Sequence, residues 1–157
     1  MPEEVRLRDV IEADLPVLFE HQLDPEGARM AAFAPRDRDG FTAHWRRILA
    51  DPTLTARAVL ADGEVAGNVV CFEQEGQRLV GYWIGRDHWG KGVATRALAA
   101  FLLEMPDRPL YAHVAAHNVG SIRVLEKCGF RLVERRPALD AEGDAMEELV
   151  MRLGQEP

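Results

Sequence analysis

Apolar and polar residues alternate singly from Glu4 to Val10, with Val5 and Leu7 on one face and Arg6 and Arg8 on the other, which predicts a strand. The period then lengthens. Leu15, Leu18, Phe19 and Gln22 fall on one helical face behind Asp14 and Pro16, so a helix is expected to run to about Leu23 with Asp14 as its N-cap. DPEGARMAAFAPRDRDG, starting at Asp24, breaks both periods with two prolines, two glycines and several charges. It reads as a long loop, with a short helical piece around Ala28 to Phe33, and loops of this length tend to carry function. A second amphipathic helix is expected from about Phe41 to Leu49, burying Phe41, Trp45, Ile48 and Leu49.

Three consecutive strands follow, Arg57–Leu60, Glu64–Phe72 and Leu79–Ile84, with Asp62-Gly63 as the hairpin signal between the first two. Helical spacing returns over Ala94 to Leu103, with Val93, Ala97, Leu98 and Phe101 on one side. LYAHVAAH is β-rich, NVGSIRVLEKC is a helix capped by Asn118 and stopped by Gly129, and FRLVERR and EELVMRL are closing strands. The element order predicts an α+β, or mixed α/β, sheet with helices on its faces.

Length and composition narrow the class. A chain of 157 residues suits a single domain spanning 1–157. Its formal net charge of −7 argues against a nucleic-acid partner, because neutralising phosphates needs a basic face. No apolar run approaches the ~20 residues of a membrane span, and MPEEVRLRDV is charged where a signal peptide needs an apolar core. Cys71 and Cys128 form no metal-type pair, and as isolated thiols they fit a reducing cytoplasm. No metal site is expected.

The chemistry concentrates in YWIGRDHWGKGVATRAL, where a strand breaks at Gly90 and Gly92 and becomes a helix without pause. A helix N-terminus presents unpaired N–H groups and about half a positive charge, so such a turn can cradle an anion. Glycine lets a bulky phosphate approach the backbone, and Arg86, Lys91 and Arg96 are placed to add charge. Two familiar phosphate loops fit poorly. A dinucleotide turn needs a third glycine, and a triphosphate loop needs Ser or Thr directly after Gly-Lys. Glycines serving only a tight turn, and surface cations serving only solvation, remain alternatives.

With these residues in view, the chain resembles the GNAT superfamily of acyl-CoA-dependent N-acetyltransferases. The signature Gln/Arg-x-x-Gly-x-Gly/Ala appears as Trp89-Gly90-Lys91-Gly92-Val93-Ala94, with Trp at the first position. HWGKGVAT is similar to the branch that acetylates N-terminal amines of ribosomal proteins. A second signature appears as NVGSIRVLEKCGF, Asn118 to Phe130, about 25 residues further on. The resemblance covers most of the chain. It implies a mostly antiparallel sheet of roughly six to seven strands flanked by about four helices. It also implies acetyl-CoA as co-substrate, an amine acceptor as the second partner, and compatibility with a homodimer. The strand ending at Ile84 would pair with the pantetheine arm, and the diphosphate would sit on the amides of Trp89, Gly90, Lys91, Gly92, Val93, Ala94 and Thr95. Asn118 and Ser121 would lie near pantetheine, with Arg123 and Lys127 near the cofactor's outer end. For Asn118, a plain helix N-cap is the competing explanation.

Acyl transfer to an amine needs a neutral nucleophile, a stabilised oxyanion and a tolerated thiolate. Deprotonating a lysine at pH 7 costs about 4.6 kcal/mol, against roughly 1 kcal/mol for an α-amine. His113 lies five residues before Asn118, where related N-terminal acetyltransferases can carry the base, and alternation puts it on one face with Tyr111 and Ala115. Glu73 is the carboxylate alternative, with His88 and His117 as further candidates. The tyrosine acid common in the family is absent, since Leu125 stands in its place, and Ser121 is the nearest hydroxyl. That gap leaves room for a non-catalytic acyl-CoA-binding regulatory module, and the cradle alone would also suit a nucleotide-phosphate binder.

Overall fold

The computed structural model describes residues 2–155. Seven strands form one sheet in the order β1-β2-β3-β4-β5-β7-β6, with β1 Val5–Asp9, β2 Thr55–Ala61, β3 Glu64–Gln74, β4 Gln77–Ile84, β5 Leu110–Ala115, β6 Arg131–Leu139 and β7 Ala145–Leu153. Five α-helices accompany it: α1 Leu15–Gln22, α2 Pro25–Ala31, α3 Arg38–Ala50, α4 Val93–Glu104 and α5 Val119–Lys127. All neighbouring strands run antiparallel except β4 and β5. This is the α+β sheet expected from the pattern. Among the described residues, no helix is long and apolar enough to cross a membrane.

The core forms two large clusters and a small third one of Leu79, Tyr111 and Val150, where β4, β5 and β7 meet. The largest packs α4 and α5 against the central strands, with Phe101, Leu98, Val69, Leu110 and Met151 almost wholly buried. The second joins α1 and α3 through Leu18, Phe19, Phe41 and Trp45. Phe19 and Phe41 meet edge-on at 5.5 Å between ring centres.

Three local expectations need correction. Asp14 does not cap α1 through its side chain; it is buried at 3% exposure and bonds bidentately to the Arg8 guanidinium while accepting the Ile11 amide. The Arg8 hydrogen bond holds its carboxyl below the usual range. An interior carboxylate needs such a partner, and that need outweighs capping. The segment after Asp24 is a helix from its second residue, because Asp24 accepts the Gly27 amide and Pro25 suits the first turn. Leu49 is 40% exposed, since it lies one position round α3 from the Ile48 side that packs on the core.

The defect that matters most lies at the middle of the sheet. β4 is bonded to β3 along its whole length, yet its parallel pairing with β5 consists of Leu79 opposite Tyr111. The two strands meet near their starts and diverge toward Ile84 and Ala115. The sheet therefore opens as a wedge at the carboxyl ends of its parallel pair, the usual place for a ligand in such sheets.

Candidate active site

Two cavities fill this wedge. The larger, about 610 Å³, is walled by β4 through Tyr82, Trp83 and Ile84, by the glycine turn, and by α5. Trp89, Gly90, Gly92, Val93, Ala94 and Thr95 all line it, and so do Asn118, Ser121, Arg123 and Lys127. Of the residues expected around a cofactor, Lys91, Arg86 and Arg96 are not on the wall. Gly90 and Gly92 have φ of +72° and +76°, the left-handed region that glycine enters without penalty. A Cβ at Gly90 would meet nothing within 4 Å, so this turn faces open space. Gly92 is the N-cap of α4, and the first amides of that helix lie at the cavity wall.

The charges around the cradle differ from expectation. Arg96 turns away and donates to the Pro2 and Glu3 carbonyls, tying down the N-terminal segment. Arg86 pairs with Asp24 at 3.1 Å and lies over the Trp89 ring. Trp89 in turn donates its indole N–H to the Ile84 carbonyl at 2.8 Å. Because the Gly85 amide donates to Ala66 on β3, antiparallel alternation directs the polar groups of Ile84 and Tyr82 toward the gap. The Ile84 carbonyl is thus occupied, which leaves the Ile84 N–H and both groups of Tyr82 on that edge.

The smaller cavity, about 210 Å³, is lined by His113, Glu148, Met146 and several small residues, including Ala31, Ala32 and Ala138. His113 and Glu148 share a sheet face, because Val150 is opposite His113 and Glu148 is opposite Ala115. Arg136 completes a row across β5, β7 and β6. Its Nε donates to Glu148 at 2.9 Å, and its Nη2 lies 3.2 Å from His113 Nδ1. Burial lowers the His113 pKa below the ordinary imidazole value, with Glu148 opposing and Arg136 reinforcing the shift. A lowered value keeps the ring uncharged near neutrality, the form able to accept a proton.

The cavities adjoin at Ala31, Tyr82, Asn118 and Ser121, which line both. Asn118 does cap α5, accepting the Ser121 amide at 3.2 Å, while standing at this junction. Other candidates are not brought in. Glu73 lies at the closed end of the β3–β4 hairpin, paired with Arg78 and away from both cavities. His117 bonds the Arg29 carbonyl outside both, and His88 borders only the larger. Leu125 is fully buried. Tyr82, Glu148 and Arg136 were not singled out from the pattern; Tyr82 signals itself only by sharing the alternating face of β4 that ends at Ile84.

Known proteins resemble this chain in sequence profile and in fold. The profile of the acetyltransferase (GNAT) domain matches residues 4–131. A Bacillus licheniformis protein named uncharacterized N-acetyltransferase p20 is 25% identical over 142 residues, covering 82% of this chain and 80% of that protein. Spermidine N-acetyltransferase from Vibrio cholerae, solved with CoA and spermine, has a similar fold, with a TM-score of 0.83 at 18% identity over 95% of this chain and 94% of that one. Ribosomal-protein-alanine N-acetyltransferase from Brucella melitensis gives 0.79 at 21% identity, over 94% and 98%. With a family profile spanning most of its length and a wedge of this construction, the chain belongs to the GNAT acetyltransferase family.

Proposed function

We propose that residues 1–157 form one acetyl-CoA-dependent N-acetyltransferase domain that transfers acetyl to a primary amine by direct attack. The observation carrying this reading is the junction of the two cavities. A long cleft with a helix N-terminus at one end meets a small pocket holding a neutral imidazole. Acetyl-CoA occupies the cleft, its diphosphate on the amides following Gly90 and Gly92 and its pantetheine along β4. The amine enters from the His113 side. His113 accepts its proton, the tetrahedral intermediate collapses, and Ser121 faces the departing sulfur.

A weakly basic histidine suits an acceptor that loses its proton easily. An α-amine needs about 1 kcal/mol at pH 7 and a lysine side chain about 4.6 kcal/mol, so α-amines are the better match. The test is free-thiol release from acetyl-CoA against a panel of amino acids, polyamines and N-terminal peptides. Amine-dependent thiol release is expected, greatest for α-amines. Tight acetyl-CoA binding without turnover would favour the regulatory module, and preference for ATP or NAD over acetyl-CoA would favour the nucleotide binder.

Asn118 provides a finer check. Asn118→Ser keeps a capping oxygen and should keep most of the stability. It shortens the side chain at the junction and should weaken acetyl-CoA binding several-fold, measured by titration calorimetry. Unchanged affinity would leave Asn118 with the cap alone.

A further inference from the structure

We propose that Tyr82 is a positioning residue for acyl transfer, its hydroxyl holding that of Ser121 so that the serine proton is free to meet the departing sulfur. This rests on the acetyltransferase reading above. The helix that could supply a phenol here supplies none, because Leu125 is apolar and 1% exposed. Tyr82 reaches the same place from β4. Its Oη lies 2.6 Å from Ser121 Oγ and 3.3 Å from the Ser121 carbonyl oxygen, and both residues line both cavities.

Ser121 has its amide on Asn118 Oδ1, so the backbone of that turn is fixed. The phenol carries one proton and has two oxygens of Ser121 in reach, the carbonyl, which only accepts, and Oγ, and across the 2.6 Å contact either hydroxyl can be the donor. With the phenol donating to Oγ, the serine proton is left for the cavity. Burial pushes the Tyr82 pKa up to about 12, so the group stays a phenol through the working range. A serine hydroxyl is a weaker acid still, so neither group ionises; the role of Ser121 is to donate a hydrogen bond to the sulfur as charge develops on it, and that of Tyr82 is to hold the serine in place. The amine nitrogen bonds to the carbonyl carbon, and the C–S bond breaks with its electron pair on sulfur. The Ser121 hydroxyl stays hydrogen-bonded to the thiolate, which takes its proton from solvent, and the proton that the amine gives up to solvent balances it. The proton lost by nitrogen leaves through His113.

The experiment is a cycle of Tyr82→Phe, Ser121→Ala and the double variant, assayed with the best amine of the panel. Tyr82→Phe should lower kcat about tenfold, with acetyl-CoA affinity and amine KM changed less than twofold. The double variant should be no slower than Ser121→Ala, because Tyr82 acts through the serine. The Tyr82→Phe loss should shrink with an acetyl thioester of a more acidic thiol, whose thiolate leaves without help. Full kcat in Tyr82→Phe would overturn the proposal, as would effects that multiply in the double variant or a loss confined to binding. A wild-type protein with no turnover on any amine would overturn the acetyltransferase reading itself, and this proposal with it.

Discussion

Gly92→Asp should raise the dissociation constant for acetyl-CoA at least a hundredfold while the protein remains folded. Gly92 has a φ of +76° at the N-cap of α4, so any side chain costs about 1–2 kcal/mol of backbone strain. Aspartate tolerates that region better than most residues, and its charge is favourable at a helix N-terminus, which offsets part of the strain. The same carboxylate would stand at the wall where the diphosphate is proposed to lie and would repel it at close range. Gly92→Asn is the matched control, of nearly the same shape and strain but without charge. Calorimetric titration should show a much smaller loss for Asn than for Asp. Equal losses would mean that shape alone decides, and unchanged affinity for both would remove the diphosphate from this turn.

His113→Gln should lower kcat/KM roughly a hundredfold, the low end of general-base contributions, with acetyl-CoA affinity unchanged. Glutamine fills the space without the basicity. In the wild type, log kcat/KM should rise with pH as His113 loses its proton and level off above that point. The inflection belongs below the ordinary imidazole value of about 6.5, because burial disfavours the charged ring more than Glu148 favours it, and Arg136 adds to burial. The acceptor's own ionisation adds a further rise at higher pH, at about 7.8 for an α-amine and about 10.4 for a lysine, so the His113 inflection is the one that stays when the acceptor is changed. A Gln variant with near-full activity and an unmoved profile would leave proton removal to water.

What can be read from the chain follows the range of each interaction. The glycine turn, the Asn118 cap and the helix behind each are local, set by residues within one turn, and all are visible in the letters. Glu73 misleads because strand position alone does not say which end of a hairpin faces the cleft. Its partner Arg78 lies near the start of β4, where the sheet is closed. Arg96 misleads for a related reason: it sits in the right helix, yet the carbonyls that hold it belong to residues 2 and 3. The row of His113, Glu148 and Arg136 depends on the register of three strands, and the Tyr82–Ser121 contact joins positions 39 apart in the chain. No periodicity carries that information.

The wedge between β4 and β5 also bears on how such a chain can diverge. An ordinary sheet edge lies at the rim of the molecule and invites other polypeptides. This one lies in the interior, and what it offers a guest are main-chain donors and acceptors, which every residue type carries except proline, which lacks the N–H. Recognition through them would be blind to side chains, so the β4 positions that do no other work, unlike Tyr82, would be free to drift while the course of the strand is kept. Solved structures share this fold at identities of 18% and 21%. A backbone that performed part of the recognition would leave little for inheritance to guard there beyond a glycine turn, a capping residue, the Tyr82 phenol and the angle between two strands.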